Sequence, residues 1–275
     1  MLGLGLIGGS VARAASAAGW PVRAWTPSGD GPRRAAQDGV DVAADVPDAV
    51  READLVVLAA PPLACLDLLD RLAAEDRDAL GDAVVTDVAS TKVAIVERAR
   101  ARGLRFVGGH PLAGRETSGY EASDPRLFGG RPWVVVPPEP PDPEAEARVE
   151  ELTGLVGARV VRLSAHDHDR AVAGISHLPL LLSAALAETV TASPDWDVAR
   201  ELAAGGWASM TRLARGDAAM GAGIVATNRD QVFERLALLR ATLDAWAADL
   251  VAQDVAERTE RRLAGARDAL DGEAS

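Results

Sequence analysis

Gly3-Leu4-Gly5-Leu6-Ile7-Gly8, followed at once by Gly9-Ser10, is the stretch that decides how this chain folds. Its spacing is G-x-G-x-x-G. The first glycine of such a run permits a tight turn, and the second lets the backbone approach a pyrophosphate. The third lets helix and strand pack closely, with the helix N-terminus facing the anion. Gly3, Gly5, Leu6, Ile7 and Gly8 are therefore the expected contacts to a bound dinucleotide. A glycine-rich turn can also serve packing alone, so the surrounding pattern has to decide between the two.

That pattern alternates. Apolar runs at 55–60, 83–88, 105–107 and 133–136 read as buried strands, each closed by Gly, Pro or a polar cluster. Stretches 10–18, 33–38 and 63–73 between them read as helices. The alternation predicts an α/β fold with a Rossmann-type doubly wound parallel sheet. Only Met1 and Leu2 precede Gly3, whereas a strand feeding such a turn runs to about 5–6 residues, so the first strand reads as clipped and an upstream start is expected. The proline-rich run 137–143 cannot continue a central strand. A helix at 144–156 and a last strand at 159–163 follow it.

Beyond Ser164 the strand signals stop, and an all-α C-terminal domain is expected. Residues 168–191 read as one long apolar helix bent at Pro179, and 197–214 as a second helix. In a third, Val232, Leu236, Leu239, Leu243, Trp246 and Leu250 recur at spacings of four and three. Such a seam suits helix packing, either within one chain or across a homodimer. The expected division is a dinucleotide-binding domain at 1–164 and a helical substrate and dimerisation domain at 165–275.

The bulk numbers narrow the partners. A net charge of −12 over 275 residues argues against nucleic acid or an anionic membrane, both of which repel an acidic surface. No apolar run is read as approaching the roughly 20 residues of a membrane span, and no signal segment opens the chain, so a cytoplasmic protein is expected. The single cysteine, Cys65, excludes an internal disulfide and a Cys-based zinc site. His166-Asp167-His168-Asp169 reads as a cap and solvated turn, and no metal is expected. Lys92 is the lone lysine, which hints at a local need for it.

Chemistry concentrates in Gly108-Gly109-His110-Pro111-Leu112-Ala113-Gly114-Arg115-Glu116-Thr117-Ser118-Gly119, directly after a strand. A histidine there lies at the carboxyl end of the sheet, where such folds bind ligands, and it can take a proton near neutrality. A structural turn histidine is the alternative. Ser90, in Thr86-Asp87-Val88-Ala89-Ser90-Thr91-Lys92, can bridge a substrate hydroxyl and a base, or cap a helix. An acidic residue that would bind a ribose 2′-hydroxyl is expected about 20 residues after the glycines, where the strand instead ends in Thr26. NAD and NADP are both allowed as coenzyme.

Five blocks occur in order. They are G-L-G-L-I-G-G-S, D-V-A-S-T-K, G-G-H-P-L-A-G-R-E-T-S-G, H-D-x-x-x-A-x-I-S-H-L-P from His168 to Pro179, and G-G-W-A-S-M-T-R from Gly205 to Arg212. Together they resemble the prephenate/arogenate dehydrogenase family of tyrosine biosynthesis, over most of the chain. The His-Pro block with Ser-His-Leu-Pro is specific; the glycine motif is not. The resemblance implies that His110 accepts the proton of the ring hydroxyl, assisted by Ser90. It implies that hydride leaves the same carbon for a nicotinamide near Ala60 and Pro61, and that the ring carboxylate departs as carbon dioxide. Arg212 would hold that carboxylate through its planar guanidinium. His177 and the Gly205 backbone would face the substrate side chain, pyruvyl in prephenate or alanyl in arogenate, with Glu116 and Thr117 at the pocket mouth. Leu180, where many relatives have a further histidine, and the Ala/Gly-rich run 217–228 depart from the family pattern. A 3-hydroxyacid-type dehydrogenase and a non-catalytic dinucleotide-binding protein are the competing readings. The former relies on a mid-chain lysine, and no lysine follows Lys92.

Overall fold

The computed structural model describes residues 1–27, 31–115 and 117–272. In chain order the elements begin with α1 (Leu6–Ala17), β1 (Arg23–Ala24), α2 (Gly31–Gln37), β2 (Asp41–Val42), α3 (Val46–Val50) and β3 (Leu55–Leu58). Next come α4 (Pro62–Ala74), α5 (Arg77–Leu80), β4 (Val84–Asp87), α6 (Val93–Ala101) and β5 (Phe106–Pro111). β6 (Pro132–Val136), α7 (Pro143–Leu155) and β7 (Arg159–Arg162) complete the strand-bearing part. The rest is helical: α8 (Ala165–Val172), α9 (Leu178–Thr191), α10 (Trp196–Glu201), α11 (Gly205–Met210), α12 (Ala218–Thr227), α13 (Arg229–Leu250) and α14 (Val255–Gly272).

Five strands pair in the order β3-β4-β5-β6-β7, and β1 pairs with β2 separately. A single residue splices the sheets. Leu2 bridges Trp25 on one side and Leu58 on the other, both in parallel. Its N–H donates to the Val57 carbonyl at 2.9 Å and its carbonyl accepts from Ala59 N–H at 2.7 Å. The short lead into the glycine turn thus takes the central place in the sheet.

Period-2 alternation in the strands feeds two cores, because helices cover both faces. Val57, Val84, Val107 and Val135 point to the side packed by Val11 of α1 and Val149 and Leu152 of α7. Val56, Leu58, Val85 and Phe106 point to the other, against Leu69 and Leu72 of α4 and Ile95 of α6.

Four expectations need amending. The sheet is not wholly parallel, since β6 runs antiparallel to β5 with His110 opposite Val134. Among the described residues of 112–131 there is a single 3-10 turn (Tyr120–Ala122) and no crossover helix to return the chain in parallel. The long helix deforms before Pro179: Ala173–His177 adopts π-helical bonding, and Pro179 follows at the start of α9. A proline cannot donate to the carbonyl four residues back, so the preceding turn widens. The stretch 197–214 is broken into α10, α11 and a 3-10 turn (Leu213–Arg215), with the Gly205-Gly206 pair opening the middle piece.

The fourth concerns membranes. Ala165–Thr191 forms 27 helical residues containing an 18-residue window of mean hydropathy 1.5, long and apolar enough to cross a membrane by length and composition. Looking for an uninterrupted apolar run misses it, because Ser176, His177 and Ser183 punctuate the stretch. Only 22% of that window is buried within the chain.

By contact density the chain divides into two compact units, Met1–Arg229 and Asp230–Ser275. Within the second, Asp249 receives Arg258 at 3.0 Å as well as Arg262, and the Arg262 guanidinium lies over the Trp246 ring.

Candidate active site

The glycine turn has the shape a pyrophosphate needs. Gly3 has φ +113°, and a side chain on it would strike the Ala59 carbonyl oxygen at 2.2 Å; one on Gly8 would strike the Gly3 carbonyl oxygen at 2.2 Å. These two glycines are dictated by close packing of turn, helix and strand. Gly5 differs, since a Cβ there meets nothing within 4 Å. It caps α1 without a side-chain hydrogen bond, so no capping side chain covers the first N–H groups of the helix. Leu6 and Ile7, half-buried, form the first turn of the same helix. Ala60 and Pro61 follow β3 and lead into α4, and the buried Cys65 Sγ donates to the Ala60 carbonyl at 3.2 Å. Thr26 directly follows the Trp25 bridge. Arg33 and Arg34 are exposed.

His110 lies on β5 itself, one position before its end, where Pro111 closes the strand. The peptide preceding it is clamped from both sides. Asp87, the last residue of β4, accepts Gly109 N–H at 3.0 Å and Ala89 N–H at 3.0 Å, and the Lys92 ammonium donates to the Gly109 carbonyl at 2.7 Å. Lys92 also pairs with Asp87, and both side chains are fully buried. Burial pushes the Asp87 carboxyl up, while the Lys92 ammonium and the two N–H groups pull it back down. A Cβ on Gly109 would sit 2.4 Å from the Asp87 carbonyl oxygen, so only glycine allows β4 and β5 to approach this closely. The lone lysine therefore acts locally, at the backbone that aims His110.

The imidazole is held in turn. His110 Nδ1 lies 2.8 Å from His168 Nε2, and His168 Nδ1 lies 2.8 Å from Asp169 Oδ1. Asp169 accepts the N–H of Lys92 at 2.7 Å and of Val93 at 2.9 Å, at the start of α6. Burial holds His110 well below the ordinary imidazole value, and the neighbouring His168, Lys92 and His177 also oppose its protonation. His110 is accordingly neutral at physiological pH.

His177 enters from the π-helical turn. Its Nδ1 is 3.1 Å from Asn228 Nδ2, which also donates to the Asp169 carbonyl at 2.8 Å. Burial lowers its pKa to about 4; Asp169 and the nearby Ser90 carbonyl favour its cation, and His168 opposes it. His177 Nε2 completes no hydrogen bond among the described residues.

Of the expected site residues, the structure joins His110 and His177 through His168, Asp169 and Asn228. Ser90 lies on the loop between Asp87 and Lys92, half-buried, with no side-chain hydrogen bond among the described residues. Gly205 opens α11 and Arg212 is exposed on the turn after it. Thr117 is exposed and shares a shallow depression with Arg13, Arg115 and Asp124. Glu116 lies outside the described residues.

Sequence reasoning missed His168, Asp169 and Asn228. The cap-and-turn reading holds for His166 and Asp167, which are exposed, with the Ser164 hydroxyl accepting Asp167 N–H at 3.0 Å. It fails for His168 and Asp169, each 1% exposed. The available signal was helical spacing: 168, 169 and 172 share one buried face of α8. A surface depression lined by Met1, Trp20, Val22 and Leu55 opens at the amino ends of β1 and β3, the wrong end of the sheet for this chemistry.

A dinucleotide cradle and an uncharged, wired imidazole at the carboxyl end of one doubly wound sheet define a nicotinamide-dependent dehydrogenase with a helical C-terminal half. Comparison with known proteins specifies which kind. The profile for the prephenate dehydrogenase nucleotide-binding domain matches residues 29–162, and that for the prephenate dehydrogenase dimerization domain matches 164–264. The chain belongs to the prephenate dehydrogenase family. It is 31% identical to the prephenate dehydrogenase of Bacillus subtilis, over 99% of this chain and 75% of that one. Its fold superposes on Synechocystis arogenate dehydrogenase with a TM-score of 0.80 at 31% identity, covering 98% of each chain. Prephenate dehydrogenase from A. aeolicus, in complex with hydroxyphenyl propionate and NAD+, superposes at 0.85 with 26% identity, covering 98% of this chain and 96% of that one.

Proposed function

We propose that this protein oxidatively decarboxylates prephenate to 4-hydroxyphenylpyruvate with NAD or NADP. The observation that carries the reading is His110: a neutral imidazole at the end of β5, in a chain of this family. A nicotinamide bound at the glycine turn supplies the hydride acceptor. His110 Nε2 takes the proton of the C4 hydroxyl while C4 loses hydride, leaving a cyclohexadienone. The carboxylate on the opposite ring carbon then departs as carbon dioxide, and its electron pair moves through the ring to the new carbonyl. Aromatisation drives the step.

Ser90, beside this loop, would share the hydroxyl proton. Arg212 would clamp the ring carboxylate in a bidentate pair. His177 and Gly205 would face the substrate side chain, and Glu116 and Thr117 would guard the entrance. Ala60 and Pro61 would border the nicotinamide and Thr26 the ribose. Arogenate is the second substrate considered, supported by the Synechocystis relative. A lysine-dependent 3-hydroxyacid chemistry is disfavoured, because the only lysine is fully buried against Asp87.

The same reading places the work in two parts, a dinucleotide-binding domain at 1–164 and a helical domain at 165–275, in a cytoplasmic homodimer. Exposed apolar side chains on each unit support the dimer: Ile175, Val198 and Leu202 in the first, and Phe233, Leu243 and Leu250 in the second. The test is to mix the protein with prephenate or arogenate, each with NAD or NADP, and follow absorbance of the reduced nicotinamide. Growth of that band with prephenate supports the reading. Growth with arogenate alone reassigns the substrate, and silence in all four mixtures overturns it.

A further inference from the structure

We infer that His168 and Asp169 form a positioning relay that fixes which nitrogen of His110 is free to accept a proton. The inference rests on His110 being the base of the proposed reaction and adds how its tautomer is set. Asp169 receives two backbone N–H groups, of Lys92 and Val93, at the N-terminus of α6, so its oxygens are acceptors. His168 Nδ1, 2.8 Å from Asp169 Oδ1, must then carry the hydrogen. With its ring hydrogen on Nδ1, His168 offers the lone pair of Nε2, which lies 2.8 Å from His110 Nδ1. His110 Nδ1 therefore donates, and its own lone pair falls on Nε2. Free neutral imidazole favours the opposite arrangement, with hydrogen on Nε2, which would have no lone pair there to offer.

The groups around the pair agree. Lys92 from the β4–α6 loop and His177 from the π-helical turn both face His110 and disfavour a charge on it at rest. Asp87, behind Gly109, is already matched by the Lys92 ammonium. When His110 takes a proton on Nε2, its Nδ1–H remains directed at His168 Nε2, and Asp169 stabilises the charge through the ring between them. His168 touches neither substrate nor coenzyme in this account; it acts through His110.

Two measurements test this. Long-range proton–nitrogen NMR on the unaltered protein, with only four histidines to assign, reads the resting tautomer without any substrate. Hydrogen on His110 Nδ1 is expected; hydrogen on Nε2 overturns the inference, whether or not the protein oxidises prephenate. The second compares His168→Leu with His168→Gln. Leu removes the acceptor, whereas the Gln amide oxygen can still take the Nδ1–H. His168→Leu is expected to lower kcat on the order of 10–100-fold, with coenzyme affinity unchanged and the acid limb of the kcat/KM profile displaced. His168→Gln should recover most of the loss. Equal kcat and equal pH profiles in the unaltered and Leu proteins would overturn the relay. So would equal losses in Leu and Gln.

Discussion

His110 and His168 meet nitrogen to nitrogen at 2.8 Å, with their ring planes 77° apart. One ring stands on the last part of β5 and the other on the first helix after the sheet. The contact ties the helical half of the first compact unit to the strand that carries His110.

Acid should act on activity and stability in the same direction. His110 is held well below 6.5, so kcat/KM should remain on its plateau at pH 6.5 and fall only as the pH drops through the lower folded value. For stability the sign follows from His177. Above about 6.5 it is neutral folded and unfolded; between there and about 4 the unfolded chain binds the proton and the folded one does not. Stability should therefore decline as pH falls, by about 2 kcal/mol between pH 7 and pH 5 from this residue. Urea midpoints at the two pH values, compared with His177→Asn, check it. An unchanged pH dependence in the variant would contradict the assignment.

The glycines of the turn should separate packing from ligand approach. Gly8→Ala drives a methyl group into the Gly3 carbonyl and should cost about 1–3 kcal/mol. Gly5→Ala meets no protein atom and should cost at most about 1 kcal/mol. Yet its methyl stands where a pyrophosphate would approach, so coenzyme affinity should drop at least tenfold. Thermal melts with coenzyme titrations resolve the two; equal coenzyme affinity in Gly5→Ala and the unaltered protein would argue against this cradle.

Lys92→Met should be strongly destabilising. It strips the ammonium from a carboxylate with no solvent exposure, a loss of about 3–5 kcal/mol. Adding Asp87→Asn removes the stranded charge and should return part of that. Chemical denaturation of the three variants gives the comparison, and a single variant within 1 kcal/mol of the parent would refute the clamp around Gly109.

Much of this was readable in advance, for identifiable reasons. Strands 55–60 and 83–88 stood out because both faces are buried, leaving unbroken apolar runs. The glycine turn carries its reason in its spacing. His110 was conspicuous as one of four histidines after a strand. The direction of β6 was not legible, since a five-residue apolar strand reads alike in either sense. Nor was the role of Asp169. Its partners are the backbone of residues 92 and 93, far away in sequence, and a His-Asp pair at a helix start looks like any solvated cap. The π-helical turn depends on how Pro179 is accommodated, which residue type alone does not specify.

Light scattering at micromolar concentration should give the mass of two chains. The exposed apolar side chains of α13, among them Phe233, Leu243 and Leu250, are too many for a helix left in water. A single-chain mass would contradict the dimer.

The most direct test is His110→Asn, assayed with prephenate and whichever coenzyme the unaltered protein uses. Asparagine retains a polar side chain of similar reach but cannot take up a proton. The account predicts that kcat falls about 10²–10⁴-fold while coenzyme binding, read by fluorescence titration, stays within about twofold. Turnover close to that of the unaltered protein would contradict the claim that this imidazole is the base. Parallel loss of coenzyme binding and turnover would reduce His110 to a structural residue.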